Sequence, residues 1–218
     1  MKYLITFEKN EAARWLGHLD VLRTFERAIR RAALPVAYST GFNPREKIAF
    51  ASALGVGITG ARERATLELT EPIDPCELIQ RLNDKLPPGI RLLEAEVIPE
   101  EGSRDLLNRF DRAEMQVVCT CEPGVTLQSA QAAVDSLLAQ PRLEIERERE
   151  GRVKRMDVRP FIYSIEATEL RDNRLTFTML LSLGAEGSVR PAEIVSLLAN
   201  ELPGLSVRRI HRARLLAL

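Results

Sequence analysis

The N-terminal stretch "MKYLITFEKN" alternates apolar and polar side chains with a period of two, which predicts a strand over 2–8 with one face in a core. The period then changes. Over 18–33, Leu22, Phe25, Ile29 and Ala33 recur at helical spacing while Arg23, Arg27 and Arg30 gather on the opposite side, so this segment reads as a helix with a core face and a cationic face. Extended segments follow near 35–51 and over 63–70, then a helix over 75–86 and a strand over 91–98. The second half runs in the same order: strand 114–121, helix 126–139, strand 143–149, a strand or short helix and a strand across 158–183, helix 191–202 and strand 205–216.

An internal repeat supports that order. Pro75, Glu77, Leu78, Leu82, Leu86 and Pro87 align without a gap on Pro191, Glu193, Ile194, Leu198, Leu202 and Pro203. In each copy a proline opens the helix, where its missing N–H costs nothing, and a Leu-Pro pair ends it. The economical reading is an α+β chain of two tandem ferredoxin-like (βαββαβ) domains, 1–98 and 112–218, joined by the linker "PEEGSRDLLNRFD" at 99–111.

Composition narrows the function classes. Thirty-one Lys and Arg residues balance 31 Asp and Glu, so no global field attracts a polyanion and any nucleic-acid site must come from local segregation of charge. That segregation exists: residues 1–50 hold nine basic and five acidic side chains, whereas 62–109 hold seven and eleven. Cys76, Cys119 and Cys121 form no zinc spacing and read as reduced thiols of a cytoplasmic protein, and no apolar run is long enough to span a membrane. Neither a metal nor a cofactor is expected. The segment "GVGITG" at 55–60 lacks the spacing of a nucleotide-binding loop.

Candidate chemistry concentrates in the first half. The arginine ridge of Arg23, Arg27 and Arg30 suits phosphate oxygens, unless Asp20 and Glu26 neutralise it along the helix. The loop "STGFNPREK" places Phe42 between turn-forming residues with Arg45 and Lys47 close by, so Phe42 either anchors the loop or stacks on a base. His18, at the start of the helix, is a packing or capping residue or a general base. In the second half Arg155, Arg159, Arg208 and Arg212 extend the cationic set, with Arg208, Arg212 and Arg214 expected on one face of the last strand; edge protection by charge is the competing reading.

The combination "LGHLDVLRTFERAIRRAALPVAYSTGFNPREKIAFASALGVGI", "LNDKLPPGI" and "MDVRPFI" resembles an uncharacterised radical-SAM-associated family, whose members are fused to or encoded beside cobalamin-binding-type radical-SAM proteins, often near ribonuclease G and ribosomal-protein genes. Gly17 and Glu46 stand where the family pattern has Ser and Pro. The resemblance implies a non-catalytic accessory module that binds RNA or a ribosome-related ribonucleoprotein and presents it to a radical-SAM partner. The chain has no CxxxCxxC motif of its own to hold an iron–sulfur cluster. The architecture also looks like that of the tandem ferredoxin-like endoribonucleases of CRISPR RNA processing, which implies a metal-independent nuclease using His18. A purely protein-binding adaptor is the third possibility.

Overall fold

A computed structural model describes residues 1–99, 103–149, 151–184 and 187–217. The chain divides into two compact units, Met1–Phe110 with Ala217–Leu218, and Asp111–Leu216. Both are mixed α+β.

In the first unit the elements are β1 (Lys2–Lys9), α1 (His18–Arg31), β2 (Ile48–Phe50), β3 (Ile58–Glu68), α2 (Pro75–Asn83), β4 (Ile90–Ile98) and a short α3 (Ser103–Asn108). β1 lies between β4 and β3, and β2 pairs with β3; every one of these pairings is antiparallel. Tyr3, Ile5 and Phe7 project from one face of β1 and Ala65 and Leu67 from β3, with Leu69 just past its end, and they pack against Phe25 and Ile29 of α1 and Leu78 and Leu82 of α2. Local signals set the helix ends. The Asp20 carboxylate accepts the Gly17 N–H at 3.2 Å at the head of α1, and Asp74 accepts the N–H groups of Cys76 and Glu77 at the head of α2. Past Arg31 the chain turns at Ala33, whose φ is 49°, so Ala33 leaves the helix that its spacing predicts. Arg81 donates to the Ala32 and Ala33 carbonyls at 2.8 and 2.9 Å and ties that turn to α2.

The second unit holds β5 (Phe110–Thr120), α4 (Leu127–Ala139), the hairpin β6 (Glu144–Arg149) and β7 (Arg152–Asp157), β8 (Ile162–Arg171), β9 (Arg174–Ser182), α5 (Pro191–Leu198) and β10 (Ser206–Ala217). Its sheet runs β10, β5, β9, β8. Counted within each unit, and leaving the separate hairpin aside, the strand order is fourth, first, third, second in both. β3 and β9, α2 and α5, and β4 and β10 all begin 116 residues apart, at 58 and 174, 75 and 191, 90 and 206. Leu78 and Leu82 are buried, and so are their counterparts Ile194 and Leu198.

Each unit elaborates the connection between its first helix and the second strand of its sheet. In the first, residues 32–47 make only the isolated bridges Val36–Leu69 and Tyr38–Glu46 before β2. The extended run expected near 35–51 is thus reduced to three residues of strand, because Pro35 and Pro44 lack donors and Gly41 turns at φ 138°. In the second, the connection is the β6–β7 hairpin, held by Arg155 on Glu146 at 2.8 Å and by Arg147, which grips Glu193 of α5 through two 2.7 Å bonds. Burial alone would raise the Glu193 pKa, but Arg147 and the Arg190 N–H outweigh it and hold the carboxyl below its usual range. Part of the expected linker is helical, as α3, and residues 100–102 lie outside the described set. Among the described residues no helix is long and apolar enough to cross a membrane.

Leu82→Ala and Leu198→Ala, at equivalent buried positions, should each destabilise the protein by about 2–5 kcal/mol in urea unfolding. Because its native pKa is depressed, Glu193 contributes stability above the ordinary glutamate range and loses it as pH falls through the lowered value; Glu193→Gln should flatten the acid limb of a stability–pH profile.

Candidate nucleic-acid interface

The period-two pattern of β1 that buries Tyr3, Ile5 and Phe7 also turns Lys9 inward, and the same logic on β3 turns in Glu63 below Ala65 and Leu67. Lys9 is 0% exposed and Glu63 2%. A buried ammonium is costly without acceptors; that of Lys9 donates to the Leu16 carbonyl at 2.6 Å and the Gly55 carbonyl at 3.1 Å. Lys9, Glu63, His18 and Ser52 line a cavity of about 10 Å³ with Phe7, Val21, Phe50 and Leu54, room for about one water. A Cβ on Gly60 would collide with the Glu63 carboxylate, so a side chain at this strand position would have to displace it. His18 is half-buried and stands edge-on to Phe50, ring centroids 5.6 Å apart.

On its outer side α1 presents Arg27, Arg30 and Arg31, which line an open groove with Thr24 and Pro87. Each guanidinium Nε donates to the carbonyl one turn earlier, on Arg23, Glu26 and Arg27, at 3.2 to 3.3 Å. That holds the arginine stems along the helix and leaves their terminal nitrogens for other acceptors. Arg30 also pairs with Glu46 at 3.0 Å, and Arg23 meets Asp20 at 3.8 Å with both side chains more than half exposed. The expected neutralisation by Glu26 is absent from these contacts: its carbonyl, not its carboxylate, meets Arg30. Among the described residues no carboxylate pairs with Arg27 or Arg31.

The loop after α1 is closed at its neck, where the Ser39 N–H donates to the Arg45 carbonyl at 2.8 Å and the Arg45 N–H to Ser39 Oγ at 3.0 Å. Its tip carries Phe42, 100% exposed, and Tyr38 at the neck is also exposed. The anchoring role open to Phe42 is therefore excluded. Arg45 is exposed nearby, while Lys47 pairs with Glu68 at 2.7 Å. The Arg30–Glu46 pair joins this loop to the groove.

The second-unit candidates form no comparable surface. Arg155 is engaged by Glu146, and Arg159 spends its nitrogens bracing the Leu138 and Ile162 carbonyls at 3.1 Å each. Arg208 is exposed, but Arg212 is 3% exposed and cannot reach an external phosphate, which corrects the expectation that Arg208, Arg212 and Arg214 share one outward face. Arg214 pairs with Glu114 at 2.8 Å. Among the described residues no cluster of three His, Cys, Asp or Glu could hold a metal. Cys119 and Cys121 are buried; burial, and secondarily the neighbouring Cys121, push the Cys119 thiol up to about 12.

Pattern reading missed Lys9, Glu63, Thr24 and Arg31. For the first two the strand period was a usable signal; for Arg31 the signal was its place in the last turn of α1, where a cation complements the helix dipole.

Fold and surface together define a mixed α+β protein with a locally cationic, aromatic-tipped face. The chain belongs to the family described as "uncharacterized protein conserved in bacteria" (DUF2344), whose model matches residues 2–191. No match is found among the curated proteins. Solved structures of similar fold include a Cbf5-Nop10-Gar1 complex (TM-score 0.57, 11% identity, covering 98% of this chain and 48% of that one). Others are an H/ACA RNP bound to a substrate RNA containing 2'-deoxyuridine (0.54, 12%, 98% and 47%) and the archaeal box H/ACA sRNP Nop10-Cbf5 complex (0.53, 12%, 98% and 47%). The chain spans about half the length of these matched chains, and at such identities the likeness is one of fold.

A thiol reagent such as Ellman's should titrate Cys76 alone in the native protein and all three cysteines after denaturation. Rapid native labelling of Cys119 would contradict its burial.

Proposed function

We propose that this chain is a non-catalytic accessory module of a radical-SAM system, binding RNA or a ribonucleoprotein through the α1 groove and the Phe42 loop and presenting it to the radical-SAM partner. One observation carries the reading: three arginines line one groove, two of them with no carboxylate partner among the described residues, beside a fully exposed aromatic. Planar guanidinium forks match phosphate oxygens, and on a chain of zero net charge a local cationic excess is a property of the site. The likeness of fold to chains of two H/ACA ribonucleoprotein structures supports it. The radical-SAM partnership, the cytoplasmic setting and the assignment of 1–98 and 112–218 as tandem ferredoxin-like domains belong to the same proposal. The shared strand order of the two units supports the last of these. Within the set Arg23, Arg27, Arg30, Phe42 and Arg45, joined by Arg31, we assign RNA contacts; Lys47, Arg155 and Arg159, already engaged, are secondary.

A nuclease using His18 is the lesser reading. Lys9 and Glu63 would supply acid–base partners, but a cavity with room for about one water does not admit a ribose phosphate.

Fluorescence anisotropy with labelled RNA tests the proposal. Three phosphate contacts on a single strand should cost about 20-fold in affinity between 50 and 200 mM salt. Arg27→Ala with Arg31→Ala should weaken binding alike across sequences, with the RNA intact in EDTA. No RNA retention at low salt would hand the function to a protein-binding adaptor, and EDTA-resistant cleavage lost in His18→Ala would establish the nuclease.

A further inference from the structure

Resting on the RNA reading, we propose that the groove and loop form a site for single-stranded RNA, with backbone phosphates on Arg27, Arg30 and Arg31 and unpaired bases stacked on Phe42 and Tyr38. A fully exposed phenylalanine costs apolar hydration and contributes no packing, yet the loop that carries it is ordered by two neck hydrogen bonds and turns at Gly41 with φ 138°. The neck fixes where the ring stands, and the ring faces solvent.

The second observation is the join between aromatic and cationic parts. Glu46 has only 9% of its side chain exposed and holds Arg30 of the groove at 3.0 Å, so the loop base is fastened to α1. Phe42 lies four residues before Glu46 and hence at most about 14 Å from it along the chain. A cationic groove that tracks phosphates, flanked within a short reach by aromatic faces, is the physical requirement for binding single strands, because every base offers a π-face once it is unpaired. A duplex keeps its base faces stacked inside and offers phosphates, 2′-hydroxyls and base edges but no π-face. Tyr38, 48% exposed, supplies a second ring at the loop neck. The groove's own lining fits the same occupant: arginine stems and the Pro87 ring give an apolar floor for a ribose or base, and the guanidinium ends give a charged rim.

Anisotropy at about 50 mM salt with two labelled probes, a single-stranded oligouridylate of about 12 nucleotides and an RNA duplex of the same length, separates the classes. The single strand should bind at least about 10-fold more tightly. Phe42→Ala, at a position with no packing to lose, should weaken the single strand by about 5- to 100-fold and the duplex by less than about 2-fold, and Phe42→Trp should retain binding. Arg27→Ala should weaken both probes. Equal or tighter duplex binding, or single-strand binding indifferent to Phe42→Ala, overturns the single-strand site while leaving the RNA reading intact. Failure to bind either probe overturns both.

Discussion

The buried ammonium of Lys9 fixes the first unit. It sits at the end of β1, where the strand period turns it into the core, and its bonds to the Leu16 and Gly55 carbonyls fasten the segment that starts α1 to the segment that leads into β3. Leaving such an ammonium without acceptors would cost several kcal/mol, a large part of the stability margin of a small domain. The two chain segments are therefore held where Lys9 needs them. The start of α1 is set two residues beyond Leu16, and with it the direction in which Arg27, Arg30 and Arg31 project.

From that anchor the surface follows by short steps. Val21, Phe25, Ala28 and Ile29 of α1 face the sheet, so Arg27, Arg30 and Arg31 on the remaining face line a groove open to solvent beside the Pro87 turn. The helix stops where Ala33 turns with positive φ, and Arg81 clamps that turn. The chain then leaves as a loop rather than a strand, and the Arg30–Glu46 pair returns it to the helix. The fastening of loop to groove is thus an ion pair.

Much of this was legible in the sequence, for identifiable reasons. The pairs Leu78/Ile194 and Leu82/Leu198 recur at one spacing because equivalent helices bury equivalent faces, and that periodicity survives with little help from context. The Arg23, Arg27 and Arg30 ridge was legible for the same reason. What the pattern could not settle was pairing between elements distant in the chain. The carboxylate of Glu46 rather than that of Glu26 meets Arg30, Arg159 goes to backbone carbonyls, and Arg212 is buried although Arg208, two strand periods earlier on the same strand, is exposed. The run near 35–51 has apolar residues enough for a strand but lacks the donors, through Pro35 and Pro44, to sustain one. Lys9 and Glu63 were overlooked because a charged residue is presumed to face water, although the alternation that buries Phe7 and Ala65 applies equally to them.

The RNA site proposed for this protein is the α1 face and the Phe42 loop. Ultraviolet crosslinking of bound single-stranded RNA, followed by mass spectrometry of the adducts, tests it most directly. The account predicts adducts on Phe42 and Tyr38 and on peptides of α1. Adducts confined to the β6–β7 hairpin or to β10, with none between residues 18 and 47, would contradict it.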